Sequence, residues 1–157
     1  MKPIFNICLL LFLALSANSA RVRTHAKSRS TTSQGWDSYT KNLLVDTGYS
    51  SGAAITGLDG NVWGATALHL DPGEGAAIAN LFKNPDNAFA SGVTLRGVEF
   101  SVVRADESLI HGKKGDAGIV IAKTGQTIII SAYRGVRPFN AVNVVERLAD
   151  YLREIGY

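Results

Sequence analysis

Side chains able to do chemistry are sparse in this chain, and their spacing excludes more than it suggests. The only cysteine, Cys8, lies inside a leading apolar run, so no disulfide framework or cysteine-based metal site can be built downstream of it. His25, His69 and His111 are far apart in sequence and show no HExxH spacing. There is no GxxxxGK[ST] loop, and Gly112-Lys113-Lys114-Gly115 lacks the spacing to cradle a phosphate. Without a nucleophile–base pair or a ligand cluster, nothing here requires an enzyme or a cofactor. What remains is binding chemistry. Trp36, Tyr39, Trp63, Tyr151 and Tyr157 are candidates for one aromatic site, although any one of them alone is more often core. Trp36 falls at the exposed start of a helix, Tyr151 at the edge of a helical face, and Tyr157 at the last position. Rings with polar tips suit a half-wet shelf. Gly112–Asp116 sets two cations between glycines at a strand end, and chemistry alone leaves a solvated turn and a contact surface equally open.

The elements that must position these residues follow from periodicity. Trp36, Tyr39, Thr40, Leu43 and Leu44 lie at i, i+3, i+4, i+7 and i+8, which predicts an amphipathic helix over 36–47 with Ser33 as N-cap and Gly48 as stop. Gly52–Leu58 and Asn61–Ala65 flank Asp59-Gly60, the strongest hairpin signal in the chain. Asp71-Pro72 offers an N-cap and a first helical position for a short helix over Ala76–Phe82, ending near Asn84-Pro85. Pro85–Gly92 reads as loop, Val93–Arg96 and Val98–Arg104 as strands, and Asp106-Glu107 as the turn into Ser108–His111. Two Ile-rich runs, Gly118–Ala122 and Thr127–Ala132, are joined by Lys123-Thr124-Gly125-Gln126 and read as a strand pair. A last helix over Asn140–Ile155 gathers Val144, Val145, Leu148, Ala149, Leu152 and Ile155 on one broad face. Antiparallel strands without long crossovers, with helices at both ends, predict an α+β domain.

Charge divides unevenly. The chain carries +3, but residues 1–34 hold five basic side chains and no acid, which leaves 11 basic and 13 acidic, a charge of −2, on 35–157. The high pI therefore belongs to the first segment, and the folded part offers no basic excess for nucleic acid. Met1–Ala20 has the parts of a secretory signal: Lys2, an apolar core from Ile4 to Leu15, then small residues near Ala20. Residues 21–34 read as a flexible basic Ser/Thr-rich linker.

The segment HGKKGDAGIVIAKTGQ (111–126), followed by NVVERLADYL (143–152), resembles the carboxyl half of a profilin, nearest the plant-type members. Trp36-Asp37-Ser38-Tyr39 resembles that family's opening helix, and Asp59-Gly60-Asn61-Val62-Trp63 its first hairpin. The resemblance covers 35–157 and implies a profilin-like domain there, with the first and last helices on one face of an antiparallel sheet and small helices on the other. It implies a monomeric, non-enzymatic protein that binds monomeric actin and proline-rich ligands and so regulates actin polymerisation. It assigns the polyproline groove to Trp36, Tyr39, Trp63, Tyr151 and Tyr157, where a preformed left-handed helix docks at little entropic cost. On this reading Trp36 is a surface ring whose removal weakens peptide binding but not the fold. The actin face falls on His111, Lys113, Thr124, Val136, Arg137, Val142, Asn143 and Arg147. Two of these depart from the family: His111 stands in place of an arginine, losing a permanent charge, and Val142 in place of an asparagine. Phosphoinositide headgroups fall to Lys113, Lys114, Lys123, Arg134 and Arg137. The resemblance implies cytoplasm and cytoskeleton. The signal-like residues 1–20 suggest an alternative, a secreted recognition protein that keeps the fold and no longer acts on actin.

Overall fold

The computed structural model describes residues 35–157, so the Ser33 cap, the signal-like segment and the linker lie outside the described residues. A seven-stranded antiparallel sheet is built in the spatial order β2-β1-β7-β6-β5-β4-β3. Its strands are β1 (Gly52–Gly57), β2 (Val62–Thr66), β3 (Val93–Leu95), β4 (Val98–Ala105), β5 (Leu109–Lys114), β6 (Ala117–Lys123) and β7 (Thr127–Arg134). Helix α1 (35–43) and helix α4 (Pro138–Glu154) cover one face, while α2 (Glu74–Leu81) and α3 (Pro85–Ser91) cover the other. This is the expected α+β architecture.

Alternation along the central strands builds both cores. Ile119, Ile121, Ile128 and Ile130 all point toward α2 and α3, where they meet Ile78, Phe82 and Ala88. The residues between them, Val120, Ala122 and Ile129, point the other way and pack on Val145, Leu148 and Leu152 of α4. Every residue of β1 is buried. A sheet covered on both faces explains why its central strands are continuous apolar runs with no polar side.

Several sequence expectations change in position or kind. Helix α1 ends at 43, and a separate 3-10 turn, Val45–Thr47, leads into Gly48 at φ +79°. Asp71 does not cap α2. The helix begins after Gly73, and the Asp71 amide instead donates to the Glu74 carboxylate at 3.0 Å. Residues Pro85–Ser91 are helix rather than loop: Asn84 is extended and Pro85 occupies the first helical turn, where a missing N–H costs nothing. Gly112–Lys114 is strand, leaving only Gly115-Asp116 as the turn between β5 and β6. The β3–β4 turn, Arg96-Gly97, has positive φ at both residues (51° and 72°), as a tight type I′ connection requires. A β-bulge leaves Val103 unpaired between the pairs Val102–Gly112 and Arg104–His111.

Candidate ligand-binding surfaces

The five predicted aromatics form one connected cluster with Trp36 at its centre. Ring centroids lie 5.1 Å from Trp36 to Trp63, 4.9 Å to Tyr157 and 5.6 Å to Tyr39, and Tyr39 reaches Tyr151 at 5.9 Å. Edge-on and tilted packing is the arrangement the ring quadrupoles favour. The neighbouring Tyr151 hydroxyl, with partial burial, raises the Tyr39 phenol above its ordinary value.

Trp36 differs from its expected role. It is only 9% exposed and belongs to the core cluster of the α1/α4 face. The cause is close approach of α1 to β2. A Cβ at Gly64 would stand 2.6 Å from the Trp36 carbonyl carbon and Cβ, so glycine alone lets the helix sit that low. Polar stitches hold it: the Ala65 amide donates to Asp37 Oδ1 at 2.9 Å, and the Thr40 and Thr66 hydroxyls meet at 2.8 Å. Tyr157 is fixed from the other end of the domain. Its carbonyl accepts from the Gly125 amide at 3.1 Å, its own amide donates to Leu152 at 2.8 Å, and Gln126 Nε2 donates to the Gly156 carbonyl at 2.8 Å. Tyr151 is 41% exposed and Tyr39, Trp63 and Tyr157 are half-buried, so the shelf has a buried keystone and wet edges.

The residues assigned to the second surface do not all meet. Lys113 and Arg137 are exposed, and Asn143 is half-buried on the outer side of α4. Val136 and Val142 are partly buried against the core. His111 is buried on the helix-facing side of the sheet, where its Nε2 meets the Tyr133 hydroxyl at 2.7 Å. Gly118 makes room for that Tyr133 ring, since a Cβ there would lie 2.3 Å from the hydroxyl. Burial first, then the charges of Lys113 and Arg104, lowers the His111 pKa below its ordinary value. Thr124 is buried and hydrogen-bonded to Thr127 in the β6–β7 turn. That turn adjoins Tyr157, at the far end of the 17-residue α4 from Arg137, about 25 Å away along the helix. Arg147 faces the groove beside Tyr39 and Tyr151.

Alternation also divides the phosphoinositide set. Lys113 shares a row with Ser101 and Gly118, whereas Lys114, Ala117 and Arg134 share the next row on the opposite face. Lys123 lies six residues along β6 from Ala117, about 20 Å away, so one headgroup cannot touch all five cations.

Sequence reasoning overlooked residues that this surface contains. Arg104 pairs across the strands with His111 and reaches Glu146 of α4 at 3.7 Å, so a guanidinium lies beside His111. Val103 at the bulge is 54% exposed and Phe139, in the first turn of α4, is 75% exposed. An apolar residue directly after Pro138 was the available signal, because the first helical turn projects from the core.

Comparison with known proteins rests on this geometry. The profilin family model matches residues 34–157. The chain belongs to the profilin family. It is 50% identical over 123 residues to Profilin-P of Physarum polycephalum, a match spanning 78% of this chain and 98% of that protein. Its fold superposes on the crystal structure of Acanthamoeba castellanii profilin II with a TM-score of 0.75 at 42% identity, over 78% of this chain and 99% of that one. Mouse profilin IIa in complex with a double repeat from the FH1 domain of mDia1 superposes with a TM-score of 0.65 at 26% identity, over 78% and 99%. The affinity is therefore with amoeboid, slime-mould and fungal profilins, which overturns the plant-type expectation. The motifs behind that expectation are a sheet hairpin and a core-facing helix. Such elements are needed by the fold and do not separate its branches.

Proposed function

We propose that this profilin binds monomeric actin and proline-rich ligands and thereby regulates actin polymerisation, without being an enzyme. The observation that carries the ligand half is the aromatic cluster, whose neighbouring rings lie 4.9–6.3 Å apart around Trp36 and open to solvent at Tyr151. Its family likeness extends to mouse profilin IIa in complex with a double repeat from the FH1 domain of mDia1. Trp36, Tyr39, Trp63, Tyr151 and Tyr157 form the groove for such a peptide, Trp36 chiefly by holding the others in place.

Actin meets the surface where Arg104 of β4 reaches Glu146 of α4. Val103 and Phe139 supply exposed apolar contacts, and Lys113 and Arg137 supply exposed positive charge for an acidic partner. Val136, Val142 and Asn143 support this surface, His111 acts from beneath it through Tyr133, and Thr124 and Arg147 stand outside it. Pyrene-actin assembly and sedimentation with the full chain test the reading. Lys113→Glu weakens monomer binding and flattens its salt dependence. Parent protein that fails to bind actin at low salt overturns the actin assignment.

A second reading concerns phosphoinositides. Lys114 and Arg134 line a cavity of about 630 Å³ with Arg96, over a floor of Leu68, Leu95 and Phe100. Co-sedimentation with phosphoinositide-containing vesicles, against vesicles without them, tests whether these three cations hold the headgroup. The family supports a cytoplasmic, cytoskeletal setting. The secreted alternative rests on residues 1–20 alone.

A further inference from the structure

The aromatic shelf does not end at Tyr151. Between α1 and α4 the surface continues into a groove of about 470 Å³ lined by Tyr39, Asn42, Leu43, Val144, Arg147 and Tyr151. Tyr39 and Tyr151 belong to both features, so a ligand lying on the shelf reaches the groove without leaving the surface. Leu43 is exposed and Val144 half-buried, which leaves apolar area uncovered in the groove walls.

Arg147 gives the groove its charge. It lies one helical turn before Tyr151, about 6 Å away along the helix face. The carboxylates nearest to it on α4 are engaged elsewhere: Glu146 faces Arg104 at 3.7 Å, and Asp150 holds Arg153 at 2.8 Å. Across the groove, Asp46 holds Lys41 at 2.7 Å. Among the described residues no ion pair compensates Arg147.

We propose that this groove is a flanking subsite that reads the residues next to the proline run of a ligand, taking an apolar side chain against Leu43 and Val144 and a carboxylate at Arg147. The proposal rests on the reading of the shelf as a proline-rich site. Its length fits. From Tyr39 to Leu43 is one turn of α1, about 6 Å, which two residues of a left-handed proline helix span at roughly 3.1 Å each. The subsite would thus distinguish among proline-rich partners that the shelf, contacting only prolines, treats alike.

Capped peptides and the full chain test it by calorimetry. Decaproline is compared with decaproline extended by Leu-Glu at its carboxyl end, by Glu-Leu at its amino end, and by the same extensions with lysine for glutamate. One acidic extension is expected to bind roughly fivefold tighter than decaproline, the upper range for a solvent-exposed ion pair. The lysine counterpart should keep only what leucine adds, and Arg147→Ala, checked for fold by circular dichroism, should make the glutamate and lysine extensions bind alike. Decaproline that binds while neither acidic extension improves on it, or a preference for glutamate over lysine that survives in Arg147→Ala, overturns the subsite and leaves the shelf standing. Failure to bind decaproline at all overturns the shelf, and the subsite with it.

Discussion

Replacing Trp36 by alanine tests whether the shelf has a buried keystone. The ring is 9% exposed, so nearly all of it leaves a packed environment, and it touches Tyr39, Trp63 and Tyr157 at 4.9–5.6 Å between centroids. Truncating a buried aromatic costs about 3–5 kcal/mol. The vacated space adjoins the wet side of the shelf, where water and neighbouring rings can fill it, so the lower end, about 3 kcal/mol, is expected. For a domain of this size that is a fall in Tm on the order of 10 °C. Total stability of roughly 5–15 kcal/mol leaves the variant mostly folded at low temperature. Peptide affinity should fall by at least about 2 kcal/mol, roughly thirtyfold, because three other rings lose their support. Urea denaturation measures the first quantity and calorimetric titration with decaproline the second. Tyr151→Ala is the contrast: that side chain is 41% exposed, so it should cost under about 1 kcal/mol of stability while still weakening the peptide. If Trp36→Ala melts with the parent, the ring is not a keystone. If it melts early yet binds decaproline as tightly, the ring is core and nothing more.

Two further outcomes test the support beneath the second surface. Gly118→Ala places a Cβ 2.2–2.5 Å from the Tyr133 ring; it should cost about 1–3 kcal/mol in denaturant and break the His111–Tyr133 hydrogen bond, visible in the His111 side-chain NMR resonances. His111 titrates below its ordinary 6.5 in the folded state, so the unfolded chain binds the extra proton: its contribution is fully present above about pH 6.5 and is lost as pH falls through the window beneath. Stability should therefore decline as pH falls below 6.5 in the parent and stay flatter in His111→Asn, and equal slopes would remove His111 as the cause.

How much of this was legible in the sequence depends on what each signal encodes. Period two in Gly118–Ala122 and Thr127–Ala132 encodes faces without saying how the two runs register, and the structure puts Ile119, Ile121, Ile128 and Ile130 on one side of the sheet. Burial was not encoded, because helices cover both sides and no polar row marks the outside. His111 and Thr124 looked like surface residues for that reason, and only the pairing of β5 and the closing of the β6–β7 turn bury them. The lysine pair in Gly112–Gly115 failed differently. A linear motif holds Lys113 and Lys114 together, whereas a strand sends them to opposite faces. Pro85 was taken as a stop signal when it is equally a start, and composition cannot choose between the two.

The aromatic set was found correctly as a group for a reason that also explains the error about Trp36. Its members come from α1, from β2, from α4 and from the last residue, so no local structure brings any three of them together. They meet only because both ends of the domain are tied to the same part of the sheet. Asp37 and Thr40 fasten α1 to β2, while Arg153, Gly156 and Tyr157 fasten the end of α4 to Lys123, Gln126 and Gly125. A ring at the meeting point of two such attachments must be covered by the others, and Trp36 holds that point. Assembling the shelf is thus inseparable from docking α1. Loss of that docking would abolish peptide binding while leaving the β4–β5 edge intact, because that edge is held by strand pairing within the sheet.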